Sequence, residues 1–226
     1  MNIAIDGPSG AGKSSLAKRL AKHYGMIYVD TGALYRTVGL YARRRGIPID
    51  GIPSICPLLA DLVVGLRYQD GEQHVYLFDE DVSGLIRTPE ISMYASAVSA
   101  LPPVRAFLLD TQRRMAREHS VVMDGRDIGT VILPDAEVKI FLSADDTERA
   151  KRRLLELREK GIETTLAEVL SDMRRRDRSD KEREAAPAIA AEDAIPLDNS
   201  DCTPEETLQK AIEIVEKRMK ELKNQA

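Results

Sequence analysis

Short apolar runs alternate along this chain with longer segments whose apolar residues recur every three to four positions. Asn2-Ile-Ala-Ile5 is a short apolar strand that stops at Asp6, and Ser15 to Tyr24 reads as a helix with Leu16 and Leu20 one turn apart. Met26-Ile-Tyr-Val29 predicts a second buried strand ending at Asp30. Thr31-Gly32 then opens a helix to about Arg45, with Leu34, Val38 and Tyr41 at helical spacing, and Gly46-Ile-Pro48 ends it. Leu58 to Val64 predicts a helix. Beyond it the period changes to two: Leu66-Arg-Tyr68, a turn at Asp70-Gly71, and alternating Val75-Tyr-Leu77-Phe predict a β-hairpin.

The helical period returns after Pro102-Pro103, from about Val104 to Glu118. Ser120-Val-Val-Met123 predicts a buried strand that delivers Asp124-Gly-Arg126-Asp127 at its C-terminal end. Glu137 to Leu142 predicts another strand, followed by a charged helix from about Asp146 to Lys160 and a further helix from Leu166 to about Asp180. Ala194 to Asp198 is the last strand, and Pro196 places it at a sheet edge. Thr203-Pro204-Glu205-Glu206 carries an N-cap, a proline at N1 and a capping-box glutamate. The closing helix sets Leu208, Ile212, Val215, Met219 and Leu222 on one face, a stripe that reads as core packing.

Strands alternating with helices imply a parallel sheet covered on both faces, with ligands beyond the strand carboxyl ends at the switch point. The loop after the first strand, Asp30-Thr31, and Asp124 to Asp127 all lie at predicted strand ends, so they are expected to surround one crevice.

Composition narrows the class. The 226 residues are 43% hydrophobic and 31% charged without a low-complexity tract, which suits a soluble globular enzyme of one α/β domain with a small insertion. The net charge of -4 argues against a general affinity for nucleic acid. Positive charge is concentrated between Arg149 and Arg183, where twelve lysines and arginines face eight acids. Cys56 and Cys202 have neither metal-ligand nor redox spacing and fit a reducing compartment. His23, His74 and His119 are scattered, which disfavours a histidine metal site. With no basic leader and no long apolar run, the expectation is a cytoplasmic protein that does not span a membrane.

The chemistry starts at Gly7-Pro-Ser-Gly-Ala-Gly12-Lys13-Ser14, a G-x-x-x-x-G-K-[ST] loop in the strand-to-helix setting it requires. Such a loop turns successive backbone N–H groups toward a nucleotide's phosphates. The helix N-terminus behind it adds partial positive charge, and a lysine at position 13 can reach the β- and γ-phosphates. A phosphate-binding loop alone leaves the acceptor open: water, a protein, a sugar or another phosphate. Only three asparagines occur and none begins N-K-x-D, so guanine recognition of the GTPase type is absent. Asp81-Val-Ser-Gly84 matches a GTPase D-x-x-G but follows the hairpin and not a core strand.

Arginines and carboxylates near strand ends are the informative remainder. Arg36 sits one turn into the helix opened by Thr31, and Arg126 sits in a strand-end loop. Arg176, Asp180 and Arg183, spaced i, i+4, i+7, share one helical face. Arginine suits planar, bidentate phosphate recognition. The competing readings are an ion pair of Arg126 with Asp124 or Asp127, and a solvated helix face for the other three.

The chain resembles the bacterial-type cytidylate kinases of the nucleoside monophosphate kinase superfamily, essentially end to end. The resemblance is carried by I-D-G-P-S-G-A-G-K-S-S (5–15), D-T-G-A-L-Y-R (30–36), D-V-S-G-L-I-R-T (81–88), P-V-R (103–105), D-G-R-D-I-G-T-V-I-L-P-D-A (124–136), V-K-I-F-L (138–142) and R-D-R-S-D-K-E-R (176–183). It implies a P-loop NTPase-type parallel five-stranded sheet flanked by helices, formed by residues 1–57 and 98–226. A small antiparallel-sheet insertion at 58–97 would bind the nucleoside monophosphate, and a helical lid would span about 153–183.

The resemblance also implies roles. Gly7, Pro8, Ser9, Gly10, Ala11, Gly12, Lys13, Ser14 and Ser15 would bind ATP, with a hydroxyl of Ser14 or Ser15 available to Mg²⁺ on the nucleotide. The family often has Gly-Thr where Ser14-Ser15 stand, so the serine that serves the metal is open. Thr31 (more often serine in the family), Arg36, Arg126 and Arg183 match positions holding the α-phosphate of CMP or dCMP. Arg176 and Asp180 match ribose contacts, while Ser96, Arg105 and Asp127 match positions that read cytosine. Asp127 can accept from the cytosine N4 amino group, where uracil presents a carbonyl.

Lys13, Arg126, Arg149 and Arg153 are the candidate catalytic cations. An ionised phosphate acceptor needs no general base, so the task is to align two polyanions and neutralise the migrating group. Rival readings are a P-loop kinase for UMP or a metabolite alcohol, and a nucleotide-binding switch module. The resemblance leans toward a monomer that has small-molecule substrates and no nucleic-acid partner.

Overall fold

The computed structural model describes residues 1–69, 72–159 and 161–225. The chain divides into two compact units, one formed by Met1–Tyr28 with His119–Ala226 and the other by Val29–Glu118.

The first unit is built on a five-stranded sheet. Its strands are β1 (Asn2–Asp6), β2 (Ile27–Asp30, whose first half belongs here), β6 (Val121–Gly125), β7 (Val138–Ser143) and β8 (Ile195–Asp198), in the order β2-β6-β1-β7-β8. The β1–β6, β1–β7 and β7–β8 pairs are parallel, and Asp6 lies opposite Gly125 and Phe141. Among the described residues, the α-helices of this unit are α1 (Lys13–Tyr24), α5 (Asp146–Glu159), α6 (Leu166–Glu182) and α7 (Pro204–Gln225). Ile3, Ile5, Leu16, Leu20, Val122, Ile140, Leu142 and Val215 form its core, joining β1 and its neighbours to the inner faces of α1 and α7. A separate cluster of Ala150, Val169 and Met173 packs α5 against α6.

The second unit contains α2 (Thr31–Arg44), a 3-10 helix (Ile49–Asp61), β3 (Val64–Gln69), β4 (Glu72–Leu77), β5 (Glu80–Asp81), α3 (Pro89–Ser99) and α4 (Pro102–Glu118). Its three strands form an antiparallel sheet in the order β3-β4-β5. Leu34, Val38, Ile55, Val75, Leu77, Ile86, Val98 and Leu108 form its core. The segment 58–97 lies inside this unit together with α2 and α4. The expected turn at Asp70-Gly71 and the helix end at Lys160 lie outside the described residues.

Two expectations change. The helix expected over Leu58–Val64 is instead the 3-10 segment Ile49–Asp61, with β3 already begun at Val64. Pro53 and Pro57 each remove a backbone donor that a continuous α-helix needs, and 3-10 turns tolerate that better. Conversely, α3 was not anticipated. Thr88 Oγ1 caps it by accepting from Ile91 N at 3.2 Å, and Pro89 follows at the first turn. The same device works where it was expected, at α7: Thr203 Oγ1 accepts from Glu206 N, and Glu206 accepts from Thr203 N. The predicted edge strand β8 does lie at an edge, as its proline requires.

Candidate active site

β1 ends at Asp6 and hands the chain to the glycine-rich loop. Gly7 has φ +147°, and a Cβ there would come within 2.0 Å of the Leu142 carbonyl oxygen, so no side chain fits where this loop leaves the sheet. Lys13 opens α1 with its side chain buried, and its Nζ donates to Pro8 O at 2.7 Å across the loop. Burial first, then the nearby Arg126 guanidinium, lowers Lys13 to about 7, against the opposing pull of Asp124, Asp6 and Asp177. A buried ammonium in that state is poised to gain from an arriving polyanion.

The rim of the loop is braced on two sides. Asp177 of α6 accepts from Ser9 N at 3.0 Å, and Arg149 of α5 donates to Ser9 O at 2.6 Å and to Asp177 at 2.7 Å. Asn199, beyond β8, donates to Ala11 O at 3.0 Å. Arg149 is 4% exposed and also contacts Ala144 O and Asp146. It is thus a buried residue joined to the loop.

Ser14 and Ser15 differ. Ser14 Oγ donates to Asp124 Oδ2 at 2.8 Å, and Tyr28 OH donates to the other oxygen of Asp124 at 2.9 Å. Ser15 is exposed and makes no side-chain hydrogen bond. A carboxylate at the C-terminal end of β6 beside a hydroxyl in the first turn of α1 suits a hard divalent cation that draws its other ligands from a nucleotide. No group of three His, Cys, Asp or Glu among the described residues is arranged to hold a metal unaided.

Charges of alternating sign extend from the β6 loop to the end of α6. Arg126 Nε donates to Asp180 Oδ2 at 2.9 Å, Arg183 lies 3.6 Å from Asp180, and Arg183 reaches Asp127 Oδ1 at 3.4 Å. Arg126 therefore pairs with Asp180, and not with Asp124 or Asp127 as the competing reading had it. Arg176, one turn before Asp180, has its Nε buried without a partner. Its pKa is lowered by burial and then by Arg126, with Arg153 adding to the effect. Arg153 itself pairs with Glu156 at 2.9 Å. Lys13, Arg126, Arg176 and Arg153 thus crowd one region of this unit.

In the second unit, Asp30 caps α2 by accepting from Ala33 N at 3.0 Å, and its other oxygen holds Arg36 at 2.6 Å and Arg87 at 3.2 Å. Thr31 is buried beside it. Arg105 donates to Ser99 O at 3.1 Å with its guanidinium 5.4 Å from the Tyr35 ring, and Ser99 Oγ donates to Ser96 O at 2.9 Å. Sequence reasoning placed Asp30 and Asp124 at the crevice without these partners, and it gave no role to Arg87 or Asp177. The position of Asp124 at a strand end was a usable signal, but the pairing of Asp177 with Arg149, 28 residues apart, had none.

The family model for cytidylate kinase matches residues 3–217. The chain belongs to the cytidylate kinase family. A cytidylate kinase of Caldicellulosiruptor saccharolyticus is 49% identical over 214 residues, covering 95% of each chain. That of Geobacter sulfurreducens is 49% identical over 216 residues, covering 96% of this chain and 93% of its own. Among solved structures, a gluconokinase from Sinorhizobium meliloti shares the fold at 15% identity with a TM-score of 0.51, covering all of this chain and 97% of its own. No helix among the described residues is long and apolar enough to cross a membrane.

Proposed function

We propose that this chain transfers the γ-phosphoryl group of ATP to the phosphate of CMP, and also of dCMP, by in-line displacement assisted by Mg²⁺. Membership of the cytidylate kinase family and relatives at 47–49% identity support the donor and the cytidylate acceptor. The observation that carries the chemistry is the crowding of cations from the glycine-rich loop outward: Lys13 beside Arg126, and Arg126 and Arg153 beside Arg176. Mutually repelling cations in a partly buried place gain most from an anion that bridges them.

The residues divide the work. Gly7 to Ser15 hold the donor phosphates through backbone N–H groups, and Lys13 follows charge from the β- to the γ-phosphate. Ser14 and Asp124 would hold the metal, which supplies charge neutralisation between the donor phosphates when bound. Arg126 and Arg183 take the acceptor phosphate, and Arg176 with Asp180 takes the ribose. Asp127 accepts from the cytosine amino group. Thr31, Arg36, Ser96 and Arg105 of the second unit serve the acceptor as well, with segment 58–97 as its binding region. Arg153 stabilises the transferring group, and Arg149 does so through its hold on the loop. Helices α5 and α6 form the lid, which excludes water and so suppresses ATP hydrolysis.

The acceptor phosphate is an anion at neutral pH, so no side chain has to remove a proton before attack. ADP release measured with ATP and Mg²⁺ across CMP, dCMP, UMP, AMP and shikimate tests the proposal. CMP and dCMP should lead clearly. UMP outpacing CMP would overturn the role of Asp127, and absence of CDP would overturn the whole.

A further inference from the structure

Asp6 is a buried carboxylate for which the transfer chemistry has no use. It closes β1 immediately before Gly7, and its backbone position is set on both sides by parallel pairing with Gly125 and Phe141. Its side chain reaches over to the loop after β6. Oδ1 accepts from Ile128 N at 2.8 Å and Oδ2 accepts from Gly129 N at 2.8 Å, so both oxygens grip the two residues that follow Asp127. The same stretch forms a single π-turn, Ile128–Ile132, with Ile132 N bonded to Asp127 O at 3.2 Å and Leu133 N to Ile128 O at 2.7 Å. A π-turn leaves its first amides without helical partners, and Asp6 supplies those partners.

Close approach is built in at Gly129. A Cβ there would stand 3.1 Å from Lys139 Cδ and 3.4 Å from Asp6 Oδ2, so either the Lys139 side chain or the turn would have to give by a few tenths of an ångström. The arrangement also costs something to hold. Burial is the first cause that raises Asp6 to about 6, partly offset by the two backbone N–H groups, and Asp127 nearby adds to the rise.

We infer that Asp6 is a positioning residue for base selectivity: by gripping the amides of Ile128 and Gly129, it sets where the Asp127 carboxylate stands relative to the acceptor's base. This rests on the reading in which Asp127 accepts from the cytosine amino group. The glycine-rich loop itself is held by sheet pairing, by Gly7 and by the Ser9 contacts, none of which uses the Asp6 side chain. Loosening Asp6 therefore moves acceptor discrimination; its charge also pulls on Lys13, an effect common to CMP and UMP that cancels in their ratio.

The test compares kcat/KM for CMP and for UMP, together with the KM for ATP, in the full-length protein. Asp6→Asn keeps the volume but turns a donor toward one of the two amides, and it should lower the CMP-to-UMP preference by about tenfold, the scale of one buried hydrogen bond lost. The KM for ATP should stay within about twofold of wild type. Gly129→Ala keeps the carboxylate and crowds the turn; it should shift the preference the same way by a smaller factor, and it carries the test if Asp6→Asn does not fold. Lower thermal stability with an unchanged preference in both variants would reduce Asp6 to a structural brace and overturn the inference. Equal rises in the KM for ATP and for CMP would overturn it too. Asp127→Ala separates the two levels. If it abolishes the preference while Asp6→Asn does not touch it, this inference alone fails; if it leaves the preference intact, the reading of Asp127 fails first.

Discussion

Arginines near the glycine-rich loop and arginines beside Asp30 solve opposite electrostatic problems. Around the loop, Lys13 is lowered to about 7 and Arg176 is also lowered, each by burial and then by Arg126. In the second unit, Arg36 and Arg87 share one oxygen of Asp30 at 2.6 and 3.2 Å. In the first group the nearby carboxylates only partly offset burial and mutual repulsion, so it gains directly when phosphate arrives. The second is already neutralised, so a ligand phosphate there must displace or share a carboxylate and gains less. One region is charged in advance for a polyanion, and the other is held in geometry by its own counterion.

Removing the charge at the centre of the first group has the largest expected effect. Lys13→Met should lower kcat by roughly 100- to 1,000-fold, the scale of losing one group that stabilises developing charge. The free protein should be no less heat-stable, because the methionine removes a buried ammonium. Loss of turnover together with a large drop in melting temperature would show that the lysine is structurally compensated after all. Arg176→Gln comes next: the arginine's Nε has no hydrogen-bond partner to strand, and the change should reduce kcat/KM by about 10- to 100-fold, as expected for a charge-assisted hydrogen bond to substrate. A change under threefold in steady-state kinetics would remove Arg176 from the group that an arriving phosphate relieves.

Asp30→Asn probes the second region and should do less. Asparagine caps a helix about as well as aspartate, so α2 should survive, while Arg36 and Arg87 lose their shared counterion. We expect kcat/KM for CMP to change by about three- to fivefold, with a loss of roughly 1 kcal/mol in stability, of the size of a partly exposed ion pair. An effect as large as that of Arg176→Gln would erase the contrast between the two regions.

The smallest effect is a pH dependence of stability. Lys13 is lowered from 10.5 to about 7, so between those values the unfolded chain binds more protons than the folded one. Stability attributable to this group therefore rises with pH across that window, and the penalty for burying it is complete below pH 7. Denaturant midpoints of wild type and Lys13→Met should accordingly converge as pH increases from 7 toward 10. Curves that stay parallel would mean that Lys13 keeps an ordinary pKa.

Much of this was open to inspection in the residues alone. The strand, glycine-rich loop and helix at the start follow from an apolar run, Gly7 and the Leu16–Leu20 spacing, all within a few residues of one another. Pro196 put β8 at an edge for a similarly local reason, since it has no N–H to give a neighbour. The helix α3 was open to the same reasoning, because Thr88-Pro89 repeats the Thr203-Pro204 device, but the adjoining hairpin period masked it. Leu58–Val64 departs from the expected helix because the 3-10 segment that holds Pro53 and Pro57 runs on to Asp61 and β3 begins at Val64.

What lay beyond the sequence is which charge meets which. Asp6 grips amides more than 120 positions away, and Asp177 joins Arg149 to Ser9 across two helices and a strand-end loop. From spacing alone, Arg126 had two nearby acids as candidate partners, and in the fold it chose neither, taking Asp180 instead. Local chemistry names the elements and the phosphate loop because propensity, capping and turn geometry act over a handful of residues. Pairing and burial of ionisable groups depend on contacts that form once sheet order and helix packing bring remote segments together, so the chain's charges acquire their roles in three dimensions.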